Sequence, residues 1–214
     1  MNREPPVFDA AFRERLASLF AWRRDVRRFR PEPPPTELID EMLDVAQFAP
    51  SVGNSQPWRV VRVESAEKRA AVRANFERCN AEALADQQGE RAALYARLKL
   101  EGLDAAPVQF AVFCDRATTQ GHGLGVRTMP ETLEYSVVGM IASLWLAARA
   151  AGLGVGWISI LDPLAIARDL EAPAAHKLVA YLCIGWPREE HDDPELARHG
   201  WQERTQAGRS IRIV

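Results

Sequence analysis

The stretch from Pro130 to Ala151, PETLEYSVVGMIASLWLAARAA, constrains the fold of this chain more than any other. Helical spacing puts Leu133, Val137, Ile141, Leu144, Trp145 and Ala148 on one face, and Val138, Met140 and Leu146 widen it. Pro130 suits the first helical position and Gly152 the end. So broad an apolar surface predicts a helix that is almost wholly buried. A subunit of 214 residues can hardly bury it alone, which argues for a homodimer.

The rest of the chain supplies the elements to pack around it. Phe8 to Trp22 reads as a first helix with Asp9 as its cap. After the PEPPP break, Thr36 is expected to cap a second helix that stops at Ala49-Pro50. The loop SVGNSQPW, Ser51 to Trp58, is irregular and leads into WRVVRVE, a strand by its β-branched residues. From Ser65 to about Glu101 the chain is polar and helical with a break near Asp86 to Gly89, a composition that suggests a flap. VQFAVFC reads as a strand buried on both faces, VGWISIL as a third strand, PLAIARDL as a short helix and HKLVAYLCIGWP as a fourth strand. Together these predict one α+β domain over 1–214, with a small mixed sheet surrounded by helices.

Composition excludes several classes of function. Lys and Arg number 27 against 29 Asp and Glu, so the chain as a whole has no electrostatic reason to bind nucleic acid or a membrane surface. No apolar stretch is long enough to span a bilayer, and the N-terminus lacks a secretion signal. Cys79, Cys114 and Cys183 form no C-x-x-C pair and read as buried thiols in a reducing compartment, which makes the expected location cytoplasmic. His122, His176, His191 and His199 show no ligand spacing, so no metal is expected. G-x-S-x-G is absent, and so are both glycine-rich nucleotide loops.

Two segments point to chemistry. RRDVRR, Arg23 to Arg28, sets one carboxylate among four guanidinium groups. Arginine presents a planar fork of donors matched to phosphate oxygens, and Arg23, Arg24 and Arg27 are spaced to converge on a phosphate monoester. In SVGNSQPW, the groups of Ser51, Asn54, Ser55 and Gln56 beside Trp58 suit a heterocycle with ring carbonyls and nitrogens.

These segments, with KLEG before a strand, LEYSV, and WLAARAAGLGVGW running into ISI, resemble the nitroreductase-like flavoproteins in the same order over nearly the whole chain. Within them the chain is most similar to the branch that converts the flavin itself into 5,6-dimethylbenzimidazole. The resemblance implies an interlocked homodimer with FMN at the subunit interface and a helical lid over 66–101. It implies cofactor contacts from Arg23, Arg24, Asp25, Val26 and Arg27, from Ser51 and Gln56, from Lys99 and Leu100 of the lid, and from Gly156 to Ser159. Ordinary nitroreductases usually carry serine at the place of Asp25, which marks the branch. The implied reaction takes reduced FMN and O2. Ribityl C1′ becomes C2 of 5,6-dimethylbenzimidazole, and the rest of the sugar leaves as erythrose 4-phosphate.

That route needs a base at ribityl C1′, and Asp25, fixed among arginines expected to keep it ionised, is in the right neighbourhood. Its alternative role is a salt-bridge partner that spaces the arginines. Ser159 would orient the ring, or else serve only in packing. A separate NAD(P)H-dependent flavin reductase would supply reduced FMN. The competing readings are an NAD(P)H-dependent FMN reductase or nitroreductase, and a non-catalytic flavin-binding protein. Whether Arg209 or Arg212 also reaches the phosphate is left open by the sequence.

Overall fold

The computed structural model describes residues 4–97, 102–206, 208 and 210–214. Helix α1 spans Ala10–Trp22, and Asp9 caps it by accepting the Phe12 N–H at 2.7 Å. Helix α2 spans Thr36–Ala46; Pro35 holds the cap position, so Thr36 lies inside the helix and does not cap it. A single 3₁₀ turn, Val52–Asn54, precedes strand β1, Trp58–Arg62. Then come α3 (Ala66–Ala85), α4 (Gly89–Arg97), β2 (Val108–Asp115), α5 (Thr132–Ala150), β3 (Gly154–Ile158), α6 (Pro163–Asp169), β4 (His176–Gly185) and α7 (Glu195–Arg198). No helix among the described residues is long and apolar enough to cross a membrane.

The strands lie in the order β1-β2-β4-β3, and all three pairings are antiparallel. The expected mixed sheet is therefore mixed only through an isolated parallel bridge between Asp25 and Val155. Each face of the sheet carries its own core. On one side Val108, Phe110, Val112 and Cys114 of β2 pack with Met140, Ile141 and Leu144 of α5 and Ile39 and Met42 of α2. On the other, Ala111 and Phe113 pack with Tyr181 and Cys183 of β4, Val72 of α3 and Ile166 of α6. The continuous apolar run in β2 follows from this double coverage. Its polar member, Gln109, is buried and satisfied: it accepts the Tyr181 hydroxyl at 2.7 Å and donates to Leu103 O at 2.6 Å.

Helix α5 is buried along one face only. Tyr135 is 59% exposed and Val138 42%, so the single chain leaves part of this broad apolar helix uncovered. Phe8, Phe12, Leu16 and Phe20 of the α1 region are exposed too. Cys114 and Cys183 are buried as expected, whereas Cys79 is only half-buried.

Beyond α1 the chain runs extended along the free edge of β3. Val26 N–H donates to Val155 O at 3.0 Å, Arg30 N–H to Trp186 O at 2.8 Å, and Arg188 N–H to Arg28 O at 3.0 Å. This close approach is possible because β3 reads Gly154-Val155-Gly156. A Cβ on Gly154 would lie 2.6 Å from Val26 Cγ2, and one on Gly156 would overlap the Val26 carbonyl oxygen. The glycines are thus required by packing and not by backbone conformation. Gly156→Ala is expected to displace the Asp25-Val26 segment and cost about 1–3 kcal/mol, the usual range for an overpacked site; urea unfolding with an unchanged midpoint would contradict this account.

Candidate active site

The extended segment holds its carboxylate at both oxygens. Asp25 Oδ1 accepts the Trp157 N–H at 2.9 Å, and Oδ2 accepts Arg27 Nε at 3.2 Å. Asp25 lines a cavity of about 130 Å³ together with Arg27, Phe76 of α3, Gly156, Ser159 and Cys183. Asp25, Val26, Arg27, Gly156 and Ser159 of the sequence-derived set are therefore brought together. Ser159 is exposed just beyond the end of β3. Cys183 is buried beneath, and burial, with the Asp25 charge adding to it, pushes its thiol far above the ordinary range. It is an inert wall, not a nucleophile.

The arginines share one cavity, but each also has its own partner. Arg23 lies 4.8 Å over the Trp145 ring, and Trp145 Nε1 donates to Arg24 O at 3.3 Å. Arg24 Nε donates to Asp192 O at 3.0 Å. Arg28 pairs with Glu189, and at 3.3 Å with Glu195. Arg23, Arg24 and Arg27 line a second cavity, on the α7 side of the segment, which Asp25 shares. Only 10% of the Arg27 side chain is exposed, and its Nη1 is buried with no hydrogen-bond partner among the described residues. A buried guanidinium donor left unused is costly, and it fits an anionic or carbonyl acceptor brought by a ligand.

Burial also shifts the proton affinity of Asp25. Its side chain is 38% exposed, toward the cavity, with protein on its other sides. Desolvation raises its pKa above the ordinary carboxylate value; the Trp157 N–H and Arg27 oppose the rise, and Glu195 adds to it. Arg27 thus favours the ionised form, as expected of a guanidinium group, but burial outweighs it in the direction of the shift.

Ser51 and Gln56 lie elsewhere. Ser51 Oγ accepts the Gln56 N–H at 3.0 Å, Gln56 has a φ of 43°, and Gln120 Nε2 braces the loop by donating to Asn54 O at 3.0 Å. This loop leads into β1, the sheet edge opposite β3, so three strand spacings, about 14 Å, separate the two edges. Neither Ser51 nor Gln56 lines the cavities at RRDVRR. Lys99, Leu100 and Arg209 lie outside the described residues, and Arg212 is exposed.

Sequence reasoning missed three residues. Phe76, the lone aromatic of a polar helix, overlooks the cavity from α3, whose Val72 and Asn75 are buried. Its isolation in ANFERC was the available signal. Glu195 is 8% exposed and reaches Arg27 and Arg28, yet it sits at the end of the acidic run EEHDDPE, where nothing distinguishes it. Trp201 packs edge-on against Tyr95 of α4 with centroids 6.0 Å apart, and Arg91 lies 5.5 Å over its ring. Trp201→Ala is expected to free α4 from the C-terminal segment. Faster proteolytic cleavage within α4, at unchanged global stability, is the measurement; cleavage at the wild-type rate would remove Trp201 from this role.

The model of the Nitroreductase family matches residues 20–186. A protein of Rhodospirillum rubrum named 5,6-dimethylbenzimidazole synthase is 60% identical over 202 residues, covering 94% of this chain and 96% of its own length. One from Rhodobacter capsulatus with the same name is 50% identical, covering 92% and 95%. Among solved structures, oxidized iodotyrosine deiodinase bound to FMN and 3-iodo-L-tyrosine has a TM-score of 0.70 at 27% identity, covering 82% of this chain and 91% of that one.

Proposed function

This chain belongs to the nitroreductase family and groups within it with the 5,6-dimethylbenzimidazole synthases, and from that premise we propose that it uses O2 to fragment reduced FMN into 5,6-dimethylbenzimidazole and erythrose 4-phosphate. The observation that carries this reading is the joint presence, in one cavity wall, of a carboxylate fixed at both oxygens and a buried guanidinium with one uncommitted donor. Arg27, with Arg23 and Arg24, would bind the ribityl phosphate end. Asp25 would take the proton from ribityl C1′, and Ser159 would orient the ring, with Gly156 beside them in the cavity wall. FMN supplies the redox chemistry when bound. The segment 66–101, with Phe76 on its inner side, would act as a lid that keeps out water and a nicotinamide. Reduced FMN would then come from a separate NAD(P)H-dependent reductase.

The same reading makes the protein a homodimer. Ser51 and Gln56 lie on the sheet edge opposite Asp25, so a second copy is needed to bring them to the flavin. The exposed Tyr135 and Val138 of α5, and Phe12, Leu16 and Phe20 of α1, offer apolar surface for that contact. Light scattering is expected to return twice the mass of the chain; a monomer at micromolar concentration would remove the shared site. Its free thiols are consistent with a reducing cytoplasm.

The decisive experiment mixes the purified protein with reduced FMN without air, admits O2 and analyses the small molecules by mass spectrometry. 5,6-Dimethylbenzimidazole with loss of FMN is expected. Intact oxidised FMN would overturn the synthase reading, and rapid bleaching by NAD(P)H would then favour a reductase. Asp25→Asn, loaded with FMN, is expected to lose about 10²–10⁴-fold in rate, the range for a general base.

The pH dependence has a definite sign. A base works only when deprotonated, and the Asp25 pKa is raised, so the rate falls as pH drops through a value above the ordinary carboxylate range. An acid limb at or below that ordinary range would assign it to another group.

A further inference from the structure

Around the α7 side of RRDVRR nearly every charge has its own partner. Arg24 is turned onto the Asp192 carbonyl, Arg149 pairs with Glu190 at 2.8 Å, and Arg198 with Asp193 at 2.6 Å. Glu189 is taken by Arg28. Glu195 is different. Its side chain is 8% exposed, and it stands 3.9 Å from Arg27 Nε and 3.3 Å from Arg28 Nη1, with His199 Nε2 at 3.5 Å. Arg27 Nε thus faces two acids, Asp25 Oδ2 at 3.2 Å and Glu195 Oε2 at 3.9 Å, while its Nη1 has neither.

We propose that Glu195 is a positioning residue of this site: by drawing on Arg27 from α7, it keeps that guanidinium shared between two carboxylates, so that Asp25 never receives a full ion pair. The inference deepens the function proposed above and rests on Asp25 acting there as a base. A carboxylate given all of an arginine is a poor base, because the ion pair stabilises its charged form. A carboxylate that shares its arginine with a second buried acid keeps a higher proton affinity, and Glu195 does act in that direction on Asp25. The other groups facing Asp25 do not substitute for it. Trp157 of β3 offers a backbone N–H, Phe76 of α3 is uncharged, and the Cys183 thiol of β4 stays protonated.

The test follows the Asp25 carboxyl by carbon-13 NMR in the FMN-free protein, with Asp25→Asn to assign the signal. Glu195→Gln keeps the size and the acceptor for Arg28 but removes the charge. It is expected to shift the Asp25 titration to lower pH by about half a unit, within the ordinary spread of about one unit for protein carboxylates. The acid limb of product formation is expected to move down with it. A titration at the wild-type pH would overturn the proposal. If Glu195→Gln does not fold by thermal melting, Glu195→Asp, which withdraws the acid by one methylene, is expected to show a smaller shift in the same direction; no shift would be equally fatal. Because the titration is read without flavin, failure of the wild type to make 5,6-dimethylbenzimidazole would sink the synthase reading and leave this result standing.

Discussion

The seam between the Asp25-Val26 segment and β3 is the contact on which the site depends. β3 is an edge strand, and its outward N–H and C=O groups would otherwise face a cavity. Val26 N–H takes the Val155 carbonyl and the Asp25 carboxylate takes the Trp157 N–H, so one short segment satisfies both kinds of group. A buried N–H left alone costs about 1–3 kcal/mol, which makes this carboxylate part of the fold before it is part of any chemistry. The seam closes only because Gly154 and Gly156 have no side chains to hold it apart. The glycines of β3 and the acid of RRDVRR are thus one structural unit, although more than a hundred residues separate them.

Once the seam has placed Asp25, the remaining charges sort themselves by reach. The acidic run after β4 neutralises Arg28, Arg149 and Arg198 one by one, and Arg23 spends its cation on the Trp145 ring. What is left unbalanced is local: a buried Arg27 with a spare donor, flanked by two carboxylates. Such residual imbalance in a cavity wall is where a ligand adds most, because each group it meets has already lost its water.

Much of this architecture was legible in the sequence. Helix periodicity and the β-branched runs located all four strands and most helices, and Asp9 capped α1 as read. The limits were of two kinds. Periodicity reports how apolar a face is and not what covers it, so the pattern of α5 did not tell which of its residues a single chain leaves open, as it does Tyr135 and Val138. Charge spacing reports which side chains are near in sequence and not where each finds a partner. RRDVRR therefore did not tell that Arg23 stacks on Trp145 or that Arg24 turns to a carbonyl at residue 192, although both line one cavity with Arg27. The raised Asp25 pKa was not legible for the same reason, since it comes from burial in the fold, and Trp157, which opposes it, and Glu195, which adds to it, are both distant in sequence.

The topology carries one more step. In the order β1-β2-β4-β3, the loop from Ser51 to Gln56 enters one edge strand and Asp25 docks on the other. No bending of a four-stranded sheet with both faces packed brings those edges together, because closing it would expose the two cores formed on α2 and α5 and on α3 and α6. If one heterocycle is to meet both segments, they must come from different copies. The uncovered apolar faces of α1 and α5 would then have a purpose that a lone chain does not give them, and α5 would serve as a surface between subunits as well as a core within one.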